Sequence, residues 1–317
     1  MSAQLTGADA GGSAPVVLIT GASGGIGAAV TRAYALRGAR LVLVARSRNR
    51  LQALRAEAET LGGQALVVAA DVTDARAVDG AFAAAVARFG GVDVVVHAAA
   101  VVAYGRFEEV PSDVWDRVVA VNVTGTSNVA RAALQRFREQ GGGRLVAVGS
   151  VLSLATVPLM GSYVTTKWHN RALVRVLQQE ARQTPGIRIG TVHPGAVRTP
   201  IYALAANFAG RVGRPPPPVY PPETVADAVL AVADGKRRWR SVGIANPVIA
   251  LAFTVLPRLY DVLVTPLMKV AGLTRQPVEA HSGNLFTASE DVRHLPGPLP
   301  RRFPSTSVAK SGLRAPL

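Results

Sequence analysis

Val16-Val17-Leu18-Ile19-Thr20-Gly21-Ala22-Ser23-Gly24-Gly25-Ile26-Gly27 is the stretch whose reading decides the fold. Its first five residues are almost wholly aliphatic and read as a strand buried on both faces. The glycines allow a tight reversal, and Ala28 to Arg37 then reads as a helix. A helix starting directly after such a turn presents free backbone N–H groups and its positive dipole end to the turn, which suits a diphosphate. The spacing is not G-x-G-x-x-G, because Gly21, Gly25 and Gly27 are separated by three residues and one. A glycine turn alone can be only a turn; its position between strand and helix is what points to a nucleotide.

Outward from this stretch the alternation repeats. Leu41–Ala45, Ala65–Ala69, Val92–Val96, Arg144–Val148 and Ile187–Val192 read as further strands, with Trp239–Gly243 closing the series. Helical patterns over Arg50–Leu61, Ala75–Phe89, Trp115–Phe137, Tyr163–Ala181 and Pro222–Ala233 separate them. This predicts an α/β fold: a Rossmann-like doubly wound parallel sheet with helices on both faces. A largely helical C-terminal extension follows. The expected organisation is a flexible N terminus over 1–14, one Rossmann-type domain over 15–245, an apolar extension over 246–290 and a disordered tail over 291–317. Prolines over 215–222 predict a short helix and then a loop across Ile201–Tyr220.

Composition narrows the function classes. Hydrophobic residues make up 49% of the 317 positions and charged residues 17%, as in a folded globular protein. The 35 basic and 20 acidic side chains give a net charge of +15, but arginines occur throughout instead of forming a stripe, which argues against nucleic acid as a partner. The absence of cysteine excludes disulfides, thiolate catalysis and thiol-rich metal sites. The five histidines show no ligand spacing, so no metal is expected. Met1 to Ala14 lacks the regions of a secretory signal, which predicts a cytoplasmic location.

The second predicted strand ends in Val44-Ala45-Arg46-Ser47-Arg48 with no acidic residue. An acidic side chain there grips free ribose hydroxyls, whereas an arginine suits a 2′-phosphate. Arg46 therefore predicts NADP(H) over NAD(H). Asp71, after the third strand, is positioned either to accept from the adenine amine or to hold its loop, with Asp74 an alternative helix cap. Tyr163 and Lys167 lie four apart on a helical segment and share a face. Ser150 follows the fifth strand, at the carboxyl edge where ligands bind in such sheets. A phenol with a pKa of about 10 is a weak acid that a neighbouring ammonium would strengthen. Ser150 can polarise a carbonyl, and Asn122 can hold a water leading from Lys167 to solvent.

Together these residues resemble the motifs of the short-chain dehydrogenase/reductase superfamily. Thr20 to Gly27, Asp71, the Asn122 segment, Ser150, Tyr163 and Lys167 carry the likeness, across about residues 15 to 245. The resemblance implies catalysis by Asn122, Ser150, Tyr163 and Lys167. It implies cofactor contacts from Gly21, Ser23, Gly25, Ile26, Gly27, Arg46, Asp71, Val72 and Ala98. Tyr163, Lys167, Pro194, Gly195, Val197 and Thr199 complete that set. One motif departs from the family's Asn-Asn-Ala-Gly: this chain has His97-Ala98-Ala99-Ala100, and His97 is expected to be a structural replacement.

The expected partner is a small carbonyl or alcohol with an apolar portion, because Ile201, Tyr202, Leu204 and Phe208 supply an apolar wall. A catalytically silent NADP(H)-binding regulator and an epimerase or dehydratase on the same scaffold stay open. Pro247 to Gly272 is apolar but interrupted by Pro257, Arg258, Asp261 and Pro266, too broken to span a bilayer. Three uses compete for it: burial in a homodimer or larger homo-oligomer, a substrate lid, or peripheral attachment to a membrane surface beside Lys236, Arg237, Arg238 and Arg240. Burial between copies is the leading expectation.

Overall fold

The computed structural model describes residues 14–289. Its main sheet comprises β1 Val16–Thr20, β2 Arg40–Ala45, β3 Gln64–Ala69, β4 Val94–His97, β5 Gly143–Val148, β6 Ile187–Pro194 and β7 Trp239–Val242. The strands lie in the order β7-β6-β5-β4-β1-β2-β3, and every pairing is parallel. Strand order reverses between β1 and β4, and a crevice opens there at the carboxyl ends.

The period of two along each strand explains why both faces carry helices. Val16 and Leu18 of β1 pack into one core with Phe82 of α3 (Ala75–Phe89) and Phe137 of α5 (Gly125–Glu139). Val17 and Ile19 face the opposite core, with Val30 of α1 (Gly25–Ala35), Leu51 of α2 (Arg48–Thr60) and Val229 of α8 (Pro222–Ala233). A strand buried on both sides has no polar face to show, as the aliphatic run of β1 implied. Between α4 (Ser112–Val119) and α5 the helix widens into a π-turn over Ala120–Thr124, which contains Asn122. α6 (Gly161–Glu180) carries Tyr163 and Lys167.

The chain past β6 keeps the expected short helix, but the expected loop carries short strands. After α7 (Ile201–Leu204), Ala206–Asn207 pairs with Ala103–Tyr104, and Val219–Tyr220 pairs with Ala196–Val197. Arg211–Gly213 pairs antiparallel with Leu273–Pro277 from the extension. Proline punctuation could not reveal these ladders, because each partner lies far away in sequence.

The extension begins as α9 (Asn246–Val255) and α10 (Pro257–Leu267), ends in a second π-turn over Met268–Gly272, and then returns to the domain. Backbone bonds tie Asn207 and His281 in both directions, at 2.8 and 3.0 Å, and Leu285 is fully buried. No helix among the described residues is long and apolar enough to cross a membrane. The disordered tail expected over 291–317 and nearly all of the expected flexible N terminus lie outside the described residues.

Candidate active site and cofactor cleft

The glycine turn closes so tightly that side chains would not fit. Gly21 has φ +69°, in the left-handed region, and a Cβ there would come within 2.6 Å of the Ala99 backbone nitrogen. A Cβ on Gly27 would lie 2.2 Å from the Gly21 carbonyl oxygen, and one on Gly25 would strike Thr199. The turn therefore packs against the β4 exit on one side and the segment beyond β6 on the other.

An open cleft runs from this turn across the sheet edge. Gly21, Ser23, Gly25, Ile26, Gly27, Arg46, Asp71, Val72, Ala98 and Thr199 all line it, as do Ile201 and Leu204. Pro194, Gly195 and Val197 do not; the Gly195 N–H donates to Val242 O at 2.8 Å. Tyr202 and Phe208 do not line it: Tyr202 packs in the apolar cluster beside Tyr163, and Phe208 against the core that includes Val72 and Val101.

At the β2–β3 end of the cleft the C-terminal segment takes part. Arg46 donates from Nη1 to Leu285 O at 2.8 Å and from Nη2 to Asn284 O at 2.5 Å. Asn284, Ala288 and Ser289 line the cleft opposite the glycine turn. Asp71 does not point freely at a ligand: it accepts from Thr73 N at 3.0 Å, from the Thr73 hydroxyl at 2.9 Å and from Arg117. Burial pushes its carboxyl up, but these hydrogen bonds outweigh burial and hold it below the usual carboxylate range. Arg117 also donates to Leu285 O at 3.0 Å, so one guanidinium joins the β3 exit to the returning chain. Asp74 is the cap of α3, accepting from Arg76 N and Ala77 N.

Reading along the chain misses Arg117 and Arg50, which hold the strap over residues 284–289; the stretch His281–Phe286 itself resembles a terminal motif of longer family members. Arg50 donates to Ser23 O at 2.6 Å and to Ser289 O at 3.3 Å. Its spacing of four from Arg46 was a usable signal; Arg117 carried none.

Ser150, Tyr163, Lys167 and Asn122 do not line the cleft. Ser150 leaves β5 close enough to the Tyr163 phenol to favour its ionised form. The Ser150 hydroxyl also accepts from Leu152 N at 3.1 Å, so it caps the short turn over Val151–Ser153 as well. Lys167 is buried, donates to Val148 O at 3.2 Å, and places its Nζ 5.3 Å from the Tyr163 ring centroid. The expected depression of the tyrosine by this ammonium is absent. Burial instead pushes Tyr163 up to about 12, opposed only by the nearby Ser150 hydroxyl, and lowers Lys167 to about 8. The ammonium stands over the ring, and desolvation outweighs its field.

Asn122 is engaged on both sides. Its amide accepts from Val101 N and donates to Val101 O, each at 2.9 Å, and donates to Thr166 Oγ1 at 3.1 Å. It thereby fastens the cleft floor to the helix bearing Tyr163. His97 is buried with Nδ1 2.8 Å from Thr20 Oγ1 and Nε2 2.9 Å from Thr126 Oγ1. Thr126 gives its single hydroxyl proton to Asn122 O at 2.6 Å, so Nε2 carries the ring proton and Nδ1 accepts from Thr20. Burial, with a smaller contribution from Lys167, lowers His97 to about 3. A neutral ring joining β1, β4 and α5 is structural. Among the described residues no cluster of three potential metal ligands occurs.

Sequence and fold match a known group. The short chain dehydrogenase family model matches residues 15–207, and the chain belongs to that family. Its members are oxidoreductases, and this chain adds a helical region beyond their core domain. It is 34% identical over 191 residues to 2,5-dichloro-2,5-cyclohexadiene-1,4-diol dehydrogenase of Sphingobium indicum, covering 59% of this chain and 75% of that one. Among solved structures it resembles an alcohol dehydrogenase from Thermococcus sibiricus complexed with 5-hydroxy-NADP. That likeness has 32% identity and a TM-score of 0.63, over 73% of this chain and 95% of the other. It also resembles the 3-ketoacyl-(acyl-carrier-protein) reductase of Brucella melitensis complexed with NADH, with 25% identity and a TM-score of 0.63, over 73% and 96%. A nicotinamide dinucleotide suits this fold and these relatives, as does a small carbonyl or alcohol substrate.

Proposed function

We propose that the protein is an NADP(H)-dependent oxidoreductase that interconverts a carbonyl and an alcohol, with Tyr163 as the general acid or base. The observation that carries this reading is the meeting of Ser150, Tyr163 and Lys167, which do not line the glycine cleft but adjoin it through Val102 and Ile201, cleft residues that share an apolar cluster with Tyr163. The cleft suits a dinucleotide because its closest walls are backbone: side chains at Gly21 and Gly27 would fill the cradle. When bound, the cofactor supplies or accepts the hydride.

The chain's own residues do the rest. Ser150 donates to the substrate oxygen and stabilises the charge that develops there. Tyr163 passes its proton to that oxygen in reduction and accepts one in oxidation. With burial holding the phenol near 12, it is protonated at neutral pH, which suits the reducing direction. Lys167 places a positive charge beside this exchange, and Asn122 positions the loop and the helix that face each other across it. Asp71 and Arg117 hold the β3 exit in place.

The preference for the 2′-phosphorylated cofactor rests on Arg46 and on the lack of an acidic residue after β2. The carbonyls of Asn284 and Leu285 use two of the five guanidinium N–H groups, and this orients the remaining donors. The test is a titration with NADPH and NADH, followed by a screen of ketones, aldehydes and alcohols read by cofactor absorbance. NADPH should bind more tightly, and a carbonyl should oxidise it. Equal affinities would overturn the cofactor assignment, and tight binding without turnover would favour a silent regulator.

A further inference from the structure

The outward surface of α9 and α10 has no partner among the described residues. α9 carries no charged residue and buries only Asn246. Val248, Leu251 and Val255 recur along it at three- and four-residue spacing, 67%, 63% and 61% exposed. α10 buries only Tyr260 and presents Leu259, Val262, Leu263 and Leu267 to the outside. Its polar residues Arg258, Asp261 and Thr265 form a separate stripe. A helix on the surface of a water-soluble domain needs an inward face and a polar face; α10 has both, and an apolar face in addition. Such a contiguous apolar surface marks a contact with another medium or molecule.

Charge identifies which. Lys236, Arg237, Arg238 and Arg240 stand exposed just ahead of the hairpin, with half-exposed Trp239 among them. None of the four forms an ion pair among the described residues. The Asn246 amide donates to Ser241 Oγ at 2.9 Å and to His193 O at 3.1 Å, which pins the root of α9 beside this basic run. A second copy carries the same net charge of +15 and supplies no net negative charge to the collar. A surface of anionic lipid satisfies the collar and the apolar stripes together. α9 and α10, with 10 and 11 residues, are far short of the ~20 needed to span a bilayer, so they would lie in its plane.

We propose that the α9–α10 hairpin docks the protein on an anionic phospholipid surface, its apolar stripes at the acyl boundary and Lys236 to Arg240 among the headgroups. The inner side of the extension connects this surface to the reaction site. Met268 and Leu273 pack in one apolar cluster with Met160 and Val164, against Tyr163 and Trp168. Phe253 lies 5.9 Å from Trp168 between ring centroids, and the Tyr260 hydroxyl donates to Thr156 O at 2.7 Å. Resting on the function proposed above, the substrate class is then a carbonyl or alcohol apolar enough to partition into the bilayer.

The test is co-sedimentation of the full chain with vesicles made of equal parts phosphatidylcholine and phosphatidylglycerol. The protein should pellet with these vesicles and stay in solution with phosphatidylcholine alone. Arg237→Glu combined with Arg240→Glu should weaken binding about tenfold or more. Val262→Glu with Leu263→Glu should do the same while leaving the thermal melt unchanged, because both side chains are exposed. Protein that stays in solution with both vesicles, or binding indifferent to both pairs of substitutions, would overturn the proposal. So would a stable dimer in vesicle-free solution that the Val262/Leu263 pair splits, since the occupant would then be a second copy. None of these readouts involves turnover, so a failed carbonyl screen and a failed docking test are separate results.

Discussion

Ser150, Tyr163 and Lys167 come from one strand exit and one helical turn, whereas Arg46 is held by carbonyls 238 and 239 residues further along the chain. The two regions thus take their polar groups from different parts of the molecule. The Ser150–Tyr163 region needs β5 and α6 in register, and the extension packs there too, with Met268 and Leu273 against Tyr163. The β2–β3 end is complete only when the extension has crossed the domain and buried Leu285. The difference teaches that proton chemistry and cofactor retention should be separable by mutation.

The sharpest way to break that division is Tyr163→Phe. It keeps the ring packing and removes the proton, so the chemical step should slow by about 100-fold or more while NADPH affinity changes little. Single-turnover kinetics with a substrate from the carbonyl screen would read it. A loss of affinity at an unchanged rate would place Tyr163 in binding.

Lys167→Met tests the same region through stability. Burial lowers Lys167 from 10.5 to about 8, so between these values the unfolded chain binds more protons than the folded one. Stability should therefore rise as pH increases from about 8 to 10.5, and the cost of the buried charge is fully present below 8. Lys167→Met should abolish most turnover, add about 1–3 kcal/mol of stability at neutral pH, and remove that rise. Urea melts at pH 7 and pH 10 decide it; a variant less stable at neutral pH would show that the bond to Val148 O outweighs desolvation.

In the other region, Leu285→Ala leaves a void beneath the strap and should loosen it. NADPH and NADH should each bind about tenfold more weakly, with the chemical step unchanged at saturating cofactor. A slower chemical step at saturation would show that the two regions are coupled. The smallest expected effect is that of Arg46→Ala: both cofactors lose some affinity with the strap, NADPH by several-fold more, which narrows the gap between them. Fluorescence titrations with both cofactors measure it, and an unchanged gap would remove Arg46 from phosphate selection.

Two apolar helices show where reading along the chain stops. α8 and α9 each begin with a proline in the first turn and are composed mainly of Ala, Val and Leu. α8 buries Val225, Val229 and Leu230 against the sheet and α1, whereas α9 buries only Asn246. Apolar composition states that a helix needs cover; it does not say whether the chain itself supplies it. Likewise, the ammonium four residues from Tyr163 was legible, but the direction of the phenol's shift was not, because desolvation depends on everything packed around it.

What the sequence determined by itself is local and periodic. The aliphatic strands, the helices between them, the glycine turn and the i,i+4 pair of Tyr163 and Lys167 follow from sterics and spacing within a few residues. Tertiary structure alone decided the short ladders after β6 and the ties from Arg117 to Asp71 and Leu285. It also decided the return of the extension over Arg46 and the outward face of α9 and α10. Each of these joins groups tens to hundreds of residues apart, and which of them meet depends on how the whole chain packs, a quantity no short window of sequence contains.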